Sequence, residues 1–254
     1  MSRVTNFFLS FMMVFLLKGE SVSKTHLWLA GDSTMAFYAN DRAPQAGWGM
    51  PFEGFFDSTV VVHNKAIGGR STRTFISQGK WKLLIDSVSA GDYVFIQFGH
   101  NDEAKEEKYK DRYTPVPDYK INLERFVRET RAKNAVPILV TPVSRLKFDN
   151  TGMALETHHE YTSAMQEVAA AHQVKLIDLD SASRALYQQM GPDASKLLFL
   201  QLPPGEHPNY PDGIKDNTHF TIYGARCIAE LVLKGIREND LGLAEKIVKG
   251  TMKR

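Results

Sequence analysis

Short apolar runs alternate along this chain with segments in which apolar residues recur every three or four positions. A continuous apolar run of five or six residues is typical of a strand whose two faces are both buried. The sequence therefore predicts five buried strands: His26 to Ala30, Thr59 to His63, Tyr93 to Phe98, Val136 to Thr141 and Val174 to Leu179.

The periodic segments between these runs predict amphipathic helices around residues 81–88, 119–127 and 161–172, with a last helix around 227–236. Strands that alternate with helices predict an α/β fold, in which helices cover both faces of a five-stranded parallel sheet. In such sheets the ligand site forms beyond the carboxyl ends of the strands.

Residues 1–23 have the features of a signal peptide. Arg3 precedes an apolar run of eleven residues from Phe7 to Leu17, and Ser21-Val22-Ser23 supplies small residues for cleavage. The run is too short to span a bilayer, which takes about 20 residues, although a membrane anchor and a buried helix are the alternatives. We expect cleavage, no stable membrane insertion afterwards, a periplasmic or secreted protein, and a single domain over residues 24–254.

Charge and cysteine content narrow the class of protein. The 31 basic and 29 acidic residues leave a formal charge of +2, and no nucleic-acid-binding module is recognisable, so a nucleic-acid partner is not expected. Cys227 is the single cysteine, so the chain forms no intrachain disulfide. Because Cys227 lies in an apolar helical segment, we expect an inert, buried thiol.

Four short polar motifs carry the candidate chemistry. The first and third directly follow predicted strands, and the second lies five residues beyond another. They are Gly31-Asp32-Ser33-Thr34, Gly68-Gly69-Arg70, Gly99-His100-Asn101-Asp102 and Asp216-Asn217-Thr218-His219.

Together these motifs supply the groups that acyl transfer requires. Ser33 is the candidate nucleophile, and the spacing of Asp216 and His219 lets the carboxylate orient the imidazole on a helical turn or tight loop. The Ser33 and Gly69 backbone amides and the Asn101 side chain are candidate oxyanion donors.

Each motif also has a plain structural interpretation. Ser33 is expected near a helix N-terminus, where it would serve as an N-cap, and Asp216 could cap a helix in the same way. Gly69 could simply form a tight turn, and Asn101 could cap a loop. The Gly-x-Ser-x-Gly elbow of α/β-hydrolases is absent, because residue 35 is Met.

Other polar residues have less specific roles. His100 is expected to point into the scaffold, and His158-His159-Glu160 is expected to be a solvated helix start, since no metal-binding spacing accompanies it. Arg70, Arg73 and Arg145 are candidates for binding an anionic substrate, with surface charge as the alternative.

Two segments look like inserted loops. Glu103 to Pro117 is charged, and Leu202 to Gly213 contains four prolines and two glycines. Because the second loop leads directly into Asp216 and His219, we expect it to form a wall of the cleft.

Taken in order, the motifs resemble those of the SGNH (GDSL-type) hydrolase superfamily, with Ser33, Gly69, Asn101 and His219 as the four named residues and Asp216 as the third triad member. The longer strings Gly31 to Met35, Gly68 to Arg73, Gln97 to Asp102 and Asp216 to Phe220 resemble the rhamnogalacturonan acetylesterase branch. The resemblance implies a flavodoxin-like three-layer αβα sandwich without metal or cofactor. It also implies an enzyme that removes acetyl groups from pectic polysaccharide.

Three other functions are compatible with these residues. The same fold and chemistry can serve another ester, such as acetylated xylan or a lipid. Gly-His-Asn-Asp loosely resembles metallophosphatase motifs, although no early Asp-x-His is present. A carbohydrate-binding protein on an inactive hydrolase scaffold is the alternative outside the enzymes.

Overall fold

The computed structural model describes residues 24–248. The predicted signal peptide lies outside these residues and stays a prediction. Within them, no helix is both long and apolar enough to cross a membrane. Cys227 is half-buried, and burial raises the pKa of its thiol, which lowers its reactivity.

The described part of the chain contains two β-sheets. Its strands are β1 (Thr25–Gly31), β2 (Gln45–Ala46), β3 (Val60–Asn64), β4 (Tyr93–Gln97), β5 (Val136–Val140), β6 (Lys175–Ile177), β7 (Phe199–Leu202) and β8 (Ile214–Thr221). The larger sheet has the order β3-β1-β4-β5-β6, and all of its neighbours pair in parallel. The five predicted strands are therefore confirmed.

Alternation of side chains along these strands builds a core on each face of the sheet. In β1, Leu27 and Leu29 join one apolar cluster, whereas Trp28 and Ala30 join the other. The same alternation divides β4 and β5 between the two clusters. Each strand is thus apolar throughout because both of its faces are covered.

Helices provide that cover. They are α1 (Thr72–Ser77), α2 (Lys80–Ser87), α3 (Val116–Ala132), α4 (His159–Ala171), α5 (Leu179–Ala194) and α6 (Ile222–Glu238). The apolar faces of α1 to α4 pack in the cluster that contains Trp28, and those of α5 and α6 pack in the cluster that contains Leu27. This confirms the three-layer αβα sandwich.

The strand predicted over residues 174–179 is shorter than expected. The side chain of Asp178 accepts a hydrogen bond from the Ser181 backbone N–H at 3.1 Å and caps α5, which begins at Leu179. The polar cap ends the strand that the apolar run alone would extend.

The second sheet was not predicted. It has the order β2-β8-β7, is antiparallel, and packs Ala46, Phe199 and Phe220 into the core on the α5 and α6 side. Strand β2 has only two residues, and β8 contains the polar motif Asp216 to His219, where its pairing with β7 is irregular. Neither segment has the apolar run or the alternation that predicts a strand.

Candidate active site

The order of the parallel sheet brings three of the four motifs together. Strand β1 lies between β3 and β4, and the turns that carry Ser33, Gly69 and Asn101 follow β1, β3 and β4, respectively. Because the carboxyl ends of parallel strands meet at one edge, Ser33 is flanked by Gly69 on one side and Asn101 on the other.

Buried hydrogen bonds hold the Ser33 turn from beneath. The fully buried Asp32 carboxylate accepts from the backbone N–H and the hydroxyl of Thr34, both at 2.9 Å. The Gln97 amide donates to the Thr34 hydroxyl at 2.6 Å and accepts from the Trp48 indole at 2.5 Å. The turn is therefore fixed to the core through four side chains.

No helix begins at Ser33. The turn over residues 33–35 leads into an extended segment, and the first α-helix of the described residues is α1. The expected helix N-terminus beside Ser33 is therefore wrong, and so is the N-cap interpretation of this serine. The chain turns back toward β2 here instead, with the Trp48 N–H donating to the Thr34 carbonyl at 2.9 Å.

Asp216 and His219 lie on a bulge in β8 rather than on a helical turn. Phe199 pairs with Phe220 and Gln201 with Lys215, so one residue of β7 faces four residues of β8, numbers 216–219. The extra residues leave the ladder locally, as in a β-bulge. On this bulge, Asp216 and His219 line the same cavity as Ser33.

The Asp216 carboxylate organises the bulge. One oxygen accepts from the backbone N–H groups of Thr218 and His219 at 2.7 and 3.0 Å, and the other lies 2.6 Å from His219 Nδ1. An ionised carboxylate only accepts hydrogen bonds, so Nδ1 carries a proton and Nε2 is left as the acceptor.

The electrostatics of the bulge favour the ionised form of Asp216. Burial opposes ionisation, but the hydrogen bond and charge of His219 and the two backbone N–H groups outweigh it and hold the pKa of Asp216 below its usual value. A carboxylate that stays ionised is what stabilises an imidazolium during acyl transfer.

Five predicted residues line one cavity of about 510 Å³: Ser33, Gly69, Asn101, Asp216 and His219. The Ser33 side chain has no hydrogen-bond partner among residues 24–248, so the structure contains no Ser33–His219 hydrogen bond. Catalytic hydrogen bonds are often long before substrate binds.

Each candidate oxyanion donor has an N–H group that bonds no acceptor within the described residues. Asn101 Nδ2 donates one hydrogen bond to the Arg70 carbonyl at 3.0 Å, which leaves its second N–H available. The backbone N–H groups of Ser33 and Gly69 donate to no acceptor within the described chain. Gly69 has a φ of +75°, a left-handed conformation that favours glycine.

The three predicted arginines have different positions. Arg145 lines the cavity, where it donates to the Thr218 hydroxyl at 2.5 Å and to Glu103 at 3.0 Å. Arg70 bonds the Gly68 carbonyl and Gln78 and lines an adjoining cavity instead.

Arg73 does not belong to the cavity. It pairs at the surface with Asp118 at 3.1 Å, so the structure gives no support for its predicted role in substrate binding. Two arginines that sequence reasoning missed, Arg42 and Arg112, line the cavity in its place. The sequence places Arg112 in a predicted charged loop. No local pattern predicts how that loop folds, and therefore which cavity its side chains line.

Two buried histidines lie behind the site. His100 points into the scaffold as predicted, with Nδ1 3.4 Å from the Asp32 carboxylate. Burial, with the His158 imidazole close by, lowers the pKa of His100 to about 4, although Asp32 opposes this shift. His100 is therefore neutral at pH 7.

The expectation of a solvated helix start at His158 is wrong. His158 is 1% exposed, and its Nδ1 lies 2.8 Å from Glu103, whereas His159 and Glu160 are exposed as predicted. Glu103 comes from the inserted loop, so a long-range contact decides the burial. No cluster of three or more metal-ligating side chains occurs in residues 24–248.

The proline-containing loop 202–213 does not line the Ser33 cavity. Its Asn209 side chain donates to the carbonyls of Asn40 and Ala43 at 2.8 and 2.9 Å, and the Tyr210 hydroxyl donates to the Arg42 carbonyl at 3.1 Å. The loop thus supports residues 40–43, from which Arg42 reaches the cavity. It does not itself form the expected wall of the cleft.

Comparison with known proteins identifies the family. The sequence model of the GDSL-like lipase/acylhydrolase family matches residues 29–225. Rhamnogalacturonan acetylesterase RhgT of Bacillus subtilis (strain 168) is 43% identical over 223 residues, which cover 87% of this chain and 94% of the relative.

Solved structures show the same fold. The crystal structure of YxiM from Bacillus subtilis superposes with a TM-score of 0.74 at 26% identity, covering 87% of this chain and 58% of that chain. A catalytic mutant of the acetylxylan esterase Axe2 from Geobacillus stearothermophilus gives 0.63 at 18% identity, covering 84% and 94%.

The chain belongs to the GDSL-like lipase/acylhydrolase family and is a carboxylic ester hydrolase. The comparisons confirm the resemblance that its four motifs suggested, to the rhamnogalacturonan acetylesterase branch of the SGNH hydrolases.

Proposed function

We propose that this chain is an exported acetylesterase that deacetylates rhamnogalacturonan, with Ser33, His219 and Asp216 as its catalytic triad. One observation carries the proposal: Ser33, the Asp216-bonded His219 and the candidate oxyanion donors line the same cavity. The name of the 43% identical relative supports the choice of substrate.

The proposed reaction has two halves. Ser33 Oγ attacks the acetyl carbonyl carbon while His219 Nε2 takes the hydroxyl proton, and Asp216 stabilises the resulting imidazolium. When the tetrahedral intermediate collapses, the bond to the sugar oxygen breaks and His219 returns the proton to that oxygen. Water, deprotonated by His219, then attacks the acetyl-Ser33 ester and releases acetate and free Ser33.

The oxyanion of both tetrahedral intermediates would receive hydrogen bonds from the Ser33 and Gly69 N–H groups and from the Asn101 amide. Within residues 24–248 the Ser33 and Gly69 N–H groups donate to no acceptor, and Asn101 uses one of its two N–H groups to bond the Arg70 carbonyl. Removal of one such donor typically costs about 3 kcal/mol of transition-state stabilisation.

Export is part of the proposal and rests on the sequence of residues 1–23 alone. An intact polysaccharide does not enter the cytoplasm, so an enzyme for acetylated pectin has to meet its substrate outside it. Fractionation of cells expressing the full chain, with the N-terminus of the mature protein sequenced, checks export and cleavage after Ser23.

Replacement of the proposed nucleophile tests the mechanism. Ser33→Ala is expected to reduce p-nitrophenyl acetate hydrolysis by about 10⁴-fold or more, because no other group can form the acyl-enzyme. Ser87→Ala removes an exposed hydroxyl that bonds only the Leu83 carbonyl, and it should leave activity unchanged. Full activity in a folded Ser33→Ala variant would refute the assignment.

Acetate release from acetylated rhamnogalacturonan, xylan and homogalacturonan, assayed side by side, tests the substrate. Rhamnogalacturonan is expected to react fastest. Faster release from xylan would replace the substrate and leave the mechanism intact. Equal rates on acetate and octanoate esters would favour a lipid substrate, and loss of activity with a chelator would favour metal-dependent chemistry.

A further inference from the structure

A second cavity adjoins the one that contains Ser33. It has a volume of about 660 Å³ and shares His100, Tyr109, Arg112 and Arg145 with the first. A third cavity, of about 280 Å³, is lined by Gly69, Tyr109 and Arg112 among others. Arg112 therefore stands where all three cavities meet.

The inserted loop builds this position. Its ends are closed by a hydrogen bond from the Thr114 N–H to the Asp102 carbonyl at 2.9 Å, and a further bond from the Arg112 N–H to the Tyr109 carbonyl, at 3.0 Å, forms a turn. The turn places the Arg112 guanidinium over the Tyr109 ring, 3.7 Å from its centroid. This contact holds the guanidinium against the ring without using its N–H donors.

Arg112 has no protein partner for these donors. Its side chain makes no hydrogen bond or ion pair with any residue from 24 to 248, and its Nε is buried without an acceptor. Four other cations of these cavities have polar partners: Arg145 pairs with Glu103, Lys105 with Glu160, Arg42 with Gln45 and Arg70 with Gln78. Lys108, which lines the third cavity alone, lies over the Tyr109 ring at 4.6 Å. A buried donor without an acceptor is costly, so an anionic ligand at Arg112 would be favoured.

Arg112 also lies next to the proposed oxyanion site. A Cβ built on Gly69 would lie 3.7 Å from Arg112 Nη1. A sugar acid carries its carboxylate and its esterified hydroxyl on the same ring, so a ring seated here can present its ester to Ser33 and its carboxylate to Arg112. A planar guanidinium binds a carboxylate through two parallel hydrogen bonds.

We propose that Arg112, stacked on Tyr109, binds the carboxylate of the uronate whose ester Ser33 attacks, and so selects an acidic over a neutral polysaccharide. This inference rests on the proposed function for the identity of the ester, but not for the binding of the carboxylate. The sequence candidates Arg70 and Arg73 do not take this role, because they are engaged by Gln78 and Asp118.

The first experiment measures carboxylate binding without reference to the natural substrate. Unacetylated oligogalacturonide and a xylo-oligosaccharide of equal length are tested as competitive inhibitors of p-nitrophenyl acetate hydrolysis. For Arg112→Gln the inhibition constant of oligogalacturonide should rise about tenfold or more, and for Arg112→Lys less. Inhibition by the neutral oligosaccharide should not change.

Arg226→Gln is the matched control. Arg226 also stacks on an aromatic ring, that of Phe55 at 4.8 Å, but it lines none of the three cavities. Its inhibition constants should equal those of the wild type. An unchanged constant for oligogalacturonide in Arg112→Gln, no inhibition of the wild type, or equal weakening of both inhibitors would overturn the proposal.

The second experiment separates this inference from the proposed function. Acetate release from acetylated rhamnogalacturonan and acetylated xylan is compared for the same variants, and Arg112→Gln should lower the ratio of the two kcat/KM values at least tenfold. A wild type that releases no acetate from rhamnogalacturonan refutes the proposed substrate, while the inhibition constants still decide whether Arg112 binds the carboxylate.

Discussion

The two halves of the candidate site are held in place by different means. The half that carries Ser33, Gly69 and Asn101 follows three adjacent strands of the parallel sheet, and its Asp32 support is fully buried. The half that carries Asp216 and His219 is a four-residue bulge on an antiparallel strand, with both side chains partly exposed.

The comparison shows which interactions position each group. Sheet order and core packing set the Ser33 half, so its geometry depends on the whole fold. The bulge depends on a few polar contacts: the Asp216 carboxylate, the Arg145–Thr218 hydrogen bond, and a bond from the Leu146 N–H to the Asn217 carbonyl at 2.8 Å. Changes to these contacts should alter catalysis more than stability.

Among changes to the contacts that support the site, the largest effect is expected at Asp216 in the bulge. Asp216→Asn should lower kcat for p-nitrophenyl acetate by about 10³ to 10⁴-fold, because a side-chain amide no longer fixes the Nδ1-protonated tautomer of His219. Steady-state kinetics measure the loss, and the unfolding midpoint in urea should move little.

Asp149→Asn is the control for this change. The Asp149 carboxylate accepts from the backbone N–H groups of Thr151 and Met153 at 2.8 and 3.0 Å, as Asp216 does from its own loop, but it has no histidine partner. Activity should be retained. If Asp216→Asn lowered kcat less than tenfold, the pair would not act as base and orienter.

In the Ser33 half, the buried histidine behind the site should affect the pH dependence of stability. His100 has a pKa of about 4 in the folded protein and about 6.5 in the unfolded chain. Its contribution to stability is therefore complete above pH 6.5 and is lost as the pH falls toward 4, because only the unfolded chain takes up the proton. Between pH 7.5 and 5.0 this loss amounts to about 2 kcal/mol.

Replacement of His100 removes its contribution to the pH dependence of stability. In His100→Gln the difference between the free energies of unfolding at pH 7.5 and pH 5.0, measured in urea, should shrink by about 2 kcal/mol. His159→Gln, which changes an exposed imidazole, should keep the wild-type difference. An unchanged pH dependence in His100→Gln would show that His100 does not resist protonation in the folded state.

The smallest effect is expected at the hydrogen bond between Arg145 and Thr218, which helps to hold the bulge. Arg145→Gln and Thr218→Ala each remove the same hydrogen bond, and each should lower kcat for p-nitrophenyl acetate about tenfold with a smaller change in KM. The double variant should be no slower than either single one, since residues that act through one contact are not additive. Multiplied losses would mean that Arg145 acts separately from Thr218.

The sequence predicts the Ser33 half better than the bulge, for a physical reason. Strands buried on both faces read as unbroken apolar runs, so Leu27 to Ala30 and Val94 to Ile96 were recognisable, and the motifs that follow them were then placed by topology. The predicted strand ends differ from the observed ones by one residue in β1, β3, β4 and β5. The largest difference, two residues, is at the end of β6, where Asp178 caps α5.

The sequence gives no comparable signal for the rest of the site. Strand β2 has two residues, and it pairs with β8, which lies far away in the chain. No local periodicity in the sequence marks either strand. The burial of His158 depends on Glu103, and the position of Arg112 depends on the fold of its loop. Only the three-dimensional structure separates Arg112 from Arg73.

The placement of β1 between β3 and β4 limits how the enzyme can be altered. Adjacent strands lie about 4.8 Å apart, and that spacing cannot be stretched without breaking the ladder. Engineering or divergence toward bulkier acyl groups or other sugars must therefore act on the connecting segments, above all residues 40–43 and 103–117. The spacing of the turns that carry Ser33, Gly69 and Asn101 stays fixed by the strands.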